Sequence, residues 1–327
     1  MRRREFIALL GGAATWPLAV SAQKAAPVIA ILGSGAADAS SSKMQMSMLE
    51  ASMRELGLRQ GQDYVFDIRW AGSDATRFST LAAELLANDP SAVVVSTNLA
   101  AIAVQKLSRT IPIVGTGLNA PVATGLAASL NRPGGNITGV STMAEDVLLK
   151  LFEVMRQTLP GVRRVVVIIN PTNSSNPLML DLLKGHAAKD GIAIDAASVS
   201  APVDLDAAFA EMLRHPPGAL FVLTDNSLFA LADQIIARAL AQRVPTFGSF
   251  SGPFTRAGAL VAYSRDPTEA FQGVARLLKK LLNGTAVGEL PFEQPTKFNL
   301  SINLKTAKTL GIEISPTLLA TADEVIE

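Results

Sequence analysis

The chain has 327 residues, 49% of them apolar and 17% charged, enough for two domains of ordinary size and too apolar for a disordered chain. Its formal net charge of +1 becomes −1 without the first 22 residues, which carry three arginines and one glutamate, and aromatics make up only 5%. Such a nearly neutral body offers no electrostatic footprint for nucleic acid. The absence of cysteine excludes disulfides and thiol chemistry, and two histidines, His186 and His215, are too few for a histidine-rich metal site.

The first elements in chain order form an address. Arg2, Arg3 and Arg4 precede a short apolar stretch from Phe6 to Ala14, Trp16-Pro17 breaks it, and Val20-Ser21-Ala22 offers the small side chains of a cleavage site. This is the layout of a secretory signal over residues 1–22, too short for a membrane anchor. Arg3-Arg4-Glu5-Phe6-Ile7 also resembles the twin-arginine pattern, so both the Sec and the twin-arginine route stay open. The expectation is an exported, periplasmic protein.

From Pro27 onward, short β-branched runs alternate with helical patterns. Strands are expected at 28–32, 64–70, 92–95 and 111–114, with helices near 44–56, 77–87 and 99–107 between them. After the turn-rich Asn131-Arg132-Pro133-Gly134-Gly135-Asn136 the pattern restarts. Helices are expected near 147–159, 178–189, 205–213 and 227–242, and strands at 165–169, 192–197, 219–223 and 244–247. A long helix near 268–282, a strand at 297–302 and a helix near 304–310 follow. Strands spaced by helices of this length imply parallel pairing through right-handed crossovers, hence two wound α/β halves.

Six expected strands end in small polar residues: Gly33-Ser34-Gly35, Ser96-Thr97-Asn98, Gly115-Thr116-Gly117, Asn170 through Ser175, Thr224-Asp225-Asn226 and Gly248-Ser249. In open parallel sheets the ligand crevice lies outside the carboxyl ends of the strands. Any one such tip is adequately explained as a helix cap or turn. Three from each half together point to a polar cleft between the halves. Asp225 is the only acidic side chain among them. A buried zwitterion needs a carboxylate for its ammonium and several donors for its own carboxylate, which makes Asp225 the candidate ammonium partner.

These residues carry a resemblance. Glu293-Gln294-Pro295-Thr296-Lys297-Phe298, Ile302-Asn303-Leu304-Lys305-Thr306-Ala307-Lys308, Ala322-Asp323-Glu324-Val325-Ile326, Ser129 through Val140 and Asn170-Pro171-Thr172-Asn173 resemble the ABC transporter substrate-binding proteins of the tryptophan-binding type. The resemblance implies the type I periplasmic binding protein fold, two lobes that close like a hinge on a small-molecule solute, and permease subunits in the membrane as partners. It implies no cofactor, no metal and a monomer. Three crossovers are expected near Ser141, Tyr263–Ser264 and Pro291. They divide the chain into a first lobe of residues 23–141 plus 264–290 and a second of 142–263 plus 291–327. In that setting Thr97, Asn98 and Thr116 hold an α-carboxylate, Asp225 pairs with the ammonium, and Asn173, Ser174 and Ser175 add hydrogen bonds, with Ser34, Asn226 and Ser249 at the remaining tips. The family's aromatic residues just after the aspartate and near Ser249 are replaced here by Asn226-Ser227 and Ser249-Phe250-Ser251. Phe250 or Phe254 is left to line a pocket with thinner aromatic walls, for an amino acid or another small carboxylate.

Rival readings fare worse. Gly33-Ser34-Gly35 lacks the third glycine of a dinucleotide fingerprint. No Gly-x-Ser-x-Gly elbow occurs, and His186 reads as a helix-surface residue and His215 as a loop residue, so no serine has a base. Asp204 and Asp206 suit the start of a helix. Met46 and Met53 repeat at helical spacing as packing residues. A periplasmic sensor component that hands its loaded state to a separate receptor stays open beside transport.

Overall fold

The computed structural model describes residues 25–72, 74–250 and 252–327, so the expected export signal lies outside the described residues. Two sheets organise the chain. The first holds β1 (Val28–Gly33), β2 (Val65–Trp70), β3 (Ala92–Val95), β4 (Ile113–Leu118) and β5 (Ile137–Ser141), all parallel, in the order β2-β1-β3-β4-β5. The second holds β6 (Arg164–Ile169), β7 (Ala193–Ser198), β8 (Ala219–Val222), β9 (Thr246–Gly248), β10 (Val261–Arg265), β11 (Phe298–Asn303) and β12 (Glu324–Ile326), in the order β12-β11-β10-β9-β8-β6-β7.

The central strands are continuously apolar because helices cover both faces of each sheet. In the first, Ala30, Leu32, Val93 and Val95 pack with Phe78, Leu81 and Leu85 on one side, while Ile29, Ile31 and Val94 pack with Leu49, Met53, Phe271 and Leu278 on the other. In the second, Val165, Val167 and Phe221 meet Phe152 and Leu183, and Val166, Ile168 and Val222 meet Phe209, Leu228 and Ile235. Met53 is fully buried and Met46 packs beside it, as their spacing predicts.

The chain changes sheets three times. It leaves β5 at Ser141 and enters the helix Ala144–Thr158, which lies on the second sheet. It leaves β10 at Arg265 and enters the helix Pro267–Leu282, which packs on the first. The third change falls later than Pro291. Phe292 is still in the first core, and residues 140 and 293 bridge, with Ser141 N donating to the Glu293 carbonyl at 2.9 Å.

Four differences from the expected elements have physical causes. β5 is hidden in a Gly-rich stretch, yet it forms because Gly139, at φ +153°, lets its backbone approach Gly115 closely. β10 is a full strand, and β11 runs antiparallel to it, because the intervening helix sits on the other sheet and the chain returns from the opposite end. The expected helix 227–242 is two helices, Asn226–Ala230 and Ala232–Ala241, since the backbone leaves helical geometry at Leu231 (φ −96°, ψ 4°). Finally, Gly115-Thr116-Gly117 is no free tip. It lies inside β4, where the register shifts between Gly115 and Leu118.

Candidate functional site

A cavity of about 230 Å³ opens between the carboxyl ends of the two sheets. The β1 and β3 tips bring Ser34, Thr97 and Asn98 to it, and the β6 and β8 tips bring Asn173, Asp225 and Asn226. Six of the ten expected residues therefore share one space. Ser174 is exposed outside it, Ser175 is buried beneath it, and Ser249 is buried beside the Phe250 core. Thr116, within β4, faces a small separate pocket with Trp70 and Phe271.

Asp225 is the organising group. It is 9% exposed and, among the described residues, is the only charged side chain lining the cavity. Its Oδ1 accepts from Ser227 N (2.8 Å), Leu228 N (3.0 Å) and Asn170 Nδ2 (3.2 Å), while Oδ2 accepts from Asn173 Nδ2 alone (2.9 Å). Capping the short helix Asn226–Ala230 thus occupies one oxygen, and the other keeps room for a further donor. The amides that hold it are themselves fixed. Asn173 Oδ1 accepts from Ser175 N and Oγ, and Asn170 Oδ1 accepts from Thr172 N and Oγ1. Ser175 is thereby a support for Asn173 and not a cavity residue.

On the facing lobe, Thr97 Oγ1 caps the helix Asn98–Leu107 by accepting from Ala100 N at 3.1 Å. Asn98 exchanges two bonds with Asn119, Nδ2 to the carbonyl (2.8 Å) and Oδ1 from the amide (3.0 Å). Asn119 Nδ2 then reaches the second lobe at the Thr224 carbonyl (3.2 Å). Across the mouth, Asn226 Nδ2 donates to Ser34 Oγ (2.9 Å), whose backbone N donates to Ser96 Oγ.

The aromatic wall is not where the sequence suggested. Phe250 and Phe254 are in the core, tilted against each other with ring centroids 5.0 Å apart, and neither lines the cavity. Phe78 and Phe229 do. Phe229 stands four residues after Asp225, one helical turn along, which places it over the same rim; that spacing was the available signal. Phe78 opens the helix after β2 and carried no local signal of its own.

No group of His, Asp and Glu able to hold a metal occurs among the described residues. His186 lies on a helix with its ring edge-on to Phe152, and His215 is exposed. Asp204 accepts from Ser200 N and Ala201 N, which lower its pKa and give it a structural role. The arrangement offers one carboxylate, neutral donors and two aromatic faces, a set suited to binding.

Comparison with known proteins agrees with this geometry. The family model described as "ABC transporter substrate binding protein" matches residues 28–326. A tyrosine-binding protein of Clostridioides difficile is 23% identical over 262 residues, covering 80% of this chain and 75% of the relative. The ABC domain from Streptococcus pneumonia in complex with L-Trp superposes with a TM-score of 0.83 at 20% identity, over 92% of this chain and 100% of that one. A conserved domain protein from Vibrio cholerae gives 0.84 at 25% identity with the same coverage. The architecture is that of the type I periplasmic binding proteins, with two α/β lobes flanking a cleft, and the chain belongs to the ABC transporter substrate-binding protein family.

Proposed function

We propose that the protein is the extracytoplasmic receptor of an ABC-type importer and captures an amino acid with an apolar or aromatic side chain in the interlobe cavity. The observation that carries this reading is Asp225, a fixed carboxylate with one under-used oxygen that lines a cavity together with Phe78 and Phe229. The ammonium pairs with Oδ2, and the ring lies against the phenylalanines. Ligands of two relatives, tyrosine and tryptophan, fit the same chemistry. Closure becomes favourable with solute because only the closed form makes contacts from both lobes. The closed receptor, a monomer exported by its leader, then docks on membrane permease subunits; no enzymatic step, cofactor or nucleic acid is involved. Among the described residues no helix is long and apolar enough to cross a membrane.

A thermal-shift screen of residues 23–327 against amino acids and small carboxylates tests the reading. A stabilisation of about 2.7 kcal/mol is expected at a hundred times the dissociation constant. A shift confined to solutes without an amine would discard the amino-acid assignment.

A further inference from the structure

Arg265 presents a second charge that the cavity lining does not include. It ends β10, and its guanidinium crosses to the first lobe, where Nη2 donates to the Thr116 carbonyl at 3.0 Å. Among the described residues Nη1 is buried without a partner and no carboxylate pairs with this arginine, in contrast to nine ion pairs elsewhere among them. The approach is a built feature. A Cβ on Gly117 would collide with Nη2, so only glycine at that position lets the fork lie on the strand.

A buried guanidinium with one hydrogen bond to a carbonyl is an incompletely compensated ion, which is costly to keep out of water. Burial alone already pulls its pKa down to about 10. A buried polar group left this way in a folded protein has a structural or functional reason, and recognition of a negatively charged group is the one that suits a guanidinium. Location says which kind. β4 and β10 each end on the side where ligands bind in parallel sheets, and β4 neighbours β3, whose tip supplies Thr97 and Asn98 to the cavity. Among the described residues the cavity lining holds one negative charge and no positive one.

We propose that Arg265 is the oxyanion-recognising residue of the cleft and selects solutes bearing a carboxylate. One arm of the fork stays on the Thr116 carbonyl and sets its direction, and the Nη1 arm takes the carboxylate, the geometry at which arginine surpasses lysine. This deepens the amino-acid reading and rests on it for the solute's identity, but the oxyanion preference can be tested without that identity.

The test has two arms on residues 23–327 of the wild type, Arg265→Met and Arg265→Lys. In the first, melting temperature is followed with sodium acetate replacing sodium chloride at constant ionic strength. The wild type is expected to be stabilised by acetate, Arg265→Met to be insensitive, and Arg265→Lys to keep part of the response. In the second, calorimetry compares L-phenylalanine with L-phenylalaninamide. The wild type is expected to favour the acid by about ten- to a hundredfold, and Arg265→Met to lose that preference. A wild type blind to acetate, or an Arg265→Met that retains the acid-over-amide preference, overturns the proposal. Should Arg265→Met not fold, Arg265→Lys decides, since an undiminished preference there removes the fork from recognition. An Arg265-dependent acetate response without phenylalanine binding would uphold Arg265 and sink the amino-acid reading instead.

Discussion

Asn226 Nδ2 donates to Ser34 Oγ at 2.9 Å, joining residues 192 positions apart on opposite lobes of the cleft. The bond spans the cavity that both residues line and links the two lobes there. A neutral, partly exposed hydrogen bond contributes about 1 kcal/mol. Asn226→Ala and Ser34→Ala are each expected to weaken solute binding about fivefold, mainly through faster dissociation. The double variant should lose little more than either single one, because both remove the same bond. Surface-plasmon or stopped-flow dissociation rates check this; full additivity would show that the two residues act separately.

Asp225 has two duties that different substitutions separate. Asp225→Ala removes a helix cap and strands the amides of Asn170 and Asn173, at a cost of about 1–3 kcal/mol of stability. Asp225→Asn keeps an acceptor for Ser227 N and Leu228 N and should cost less. Both should weaken amino-acid binding about ten- to a hundredfold, since each removes the charge proposed to meet the ammonium. Denaturant melts beside calorimetry distinguish the two duties.

Glu269 ties two of the passages between the lobes. From the helix Pro267–Leu282 its carboxylate accepts from Thr296 N, Thr296 Oγ1 and Lys297 N. Desolvation, the largest single influence, pushes the other way, but the three bonds and the nearby Lys297 charge together prevail and set its pKa below the ordinary 4.5. A depressed carboxylate stabilises the fold fully above its unfolded pKa, and that contribution is lost as pH falls through the folded value. Glu269→Gln should therefore lower the melting temperature at neutral pH, with the gap to the wild type narrowing below about pH 4.5. A gap constant from neutral pH to well below that value would contradict the assignment.

Gly139 explains why β4 and β5 can pair as they do. At φ +153°, an added Cβ would lie 2.5 Å from Gly115 backbone atoms, which no side-chain adjustment relieves. Gly139→Ala is expected to destabilise the first lobe by about 3 kcal/mol or more, combining strain with overpacking. Chemical denaturation reads the loss.

Much of this was legible from the chain alone, for reasons visible in particular residues. Runs such as Ala92-Val93-Val94-Val95 and Val165 through Ile169 announce strands buried on both faces, and the polar tips after them announce the cleft. The place of Asp225 at the cavity was legible because it is the single acid at any tip. What escaped depended on long-range geometry. Phe78 reaches the cavity only through the packing of its helix, and Asn119 joins the site through its exchange with Asn98. Thr116 and Ser249 share the composition of true tips, but a register shift in one case and core burial in the other take them out of the cavity. Arg265 sits in a segment that reads as a crossover, and nothing local shows that its guanidinium would be buried unpaired.

Whether the fixed carboxylate of the interlobe cavity receives a solute's ammonium is decided by one comparison. Residues 23–327, as the wild type and as Asp225→Asn, are titrated calorimetrically with L-phenylalanine and with 3-phenylpropionate. The wild type is expected to bind the amino acid far more tightly than the amine-free acid, and Asp225→Asn to erase most of the difference. Equal affinity of the wild type for both solutes, or an Asp225→Asn protein that still prefers the amino acid, would contradict the pairing.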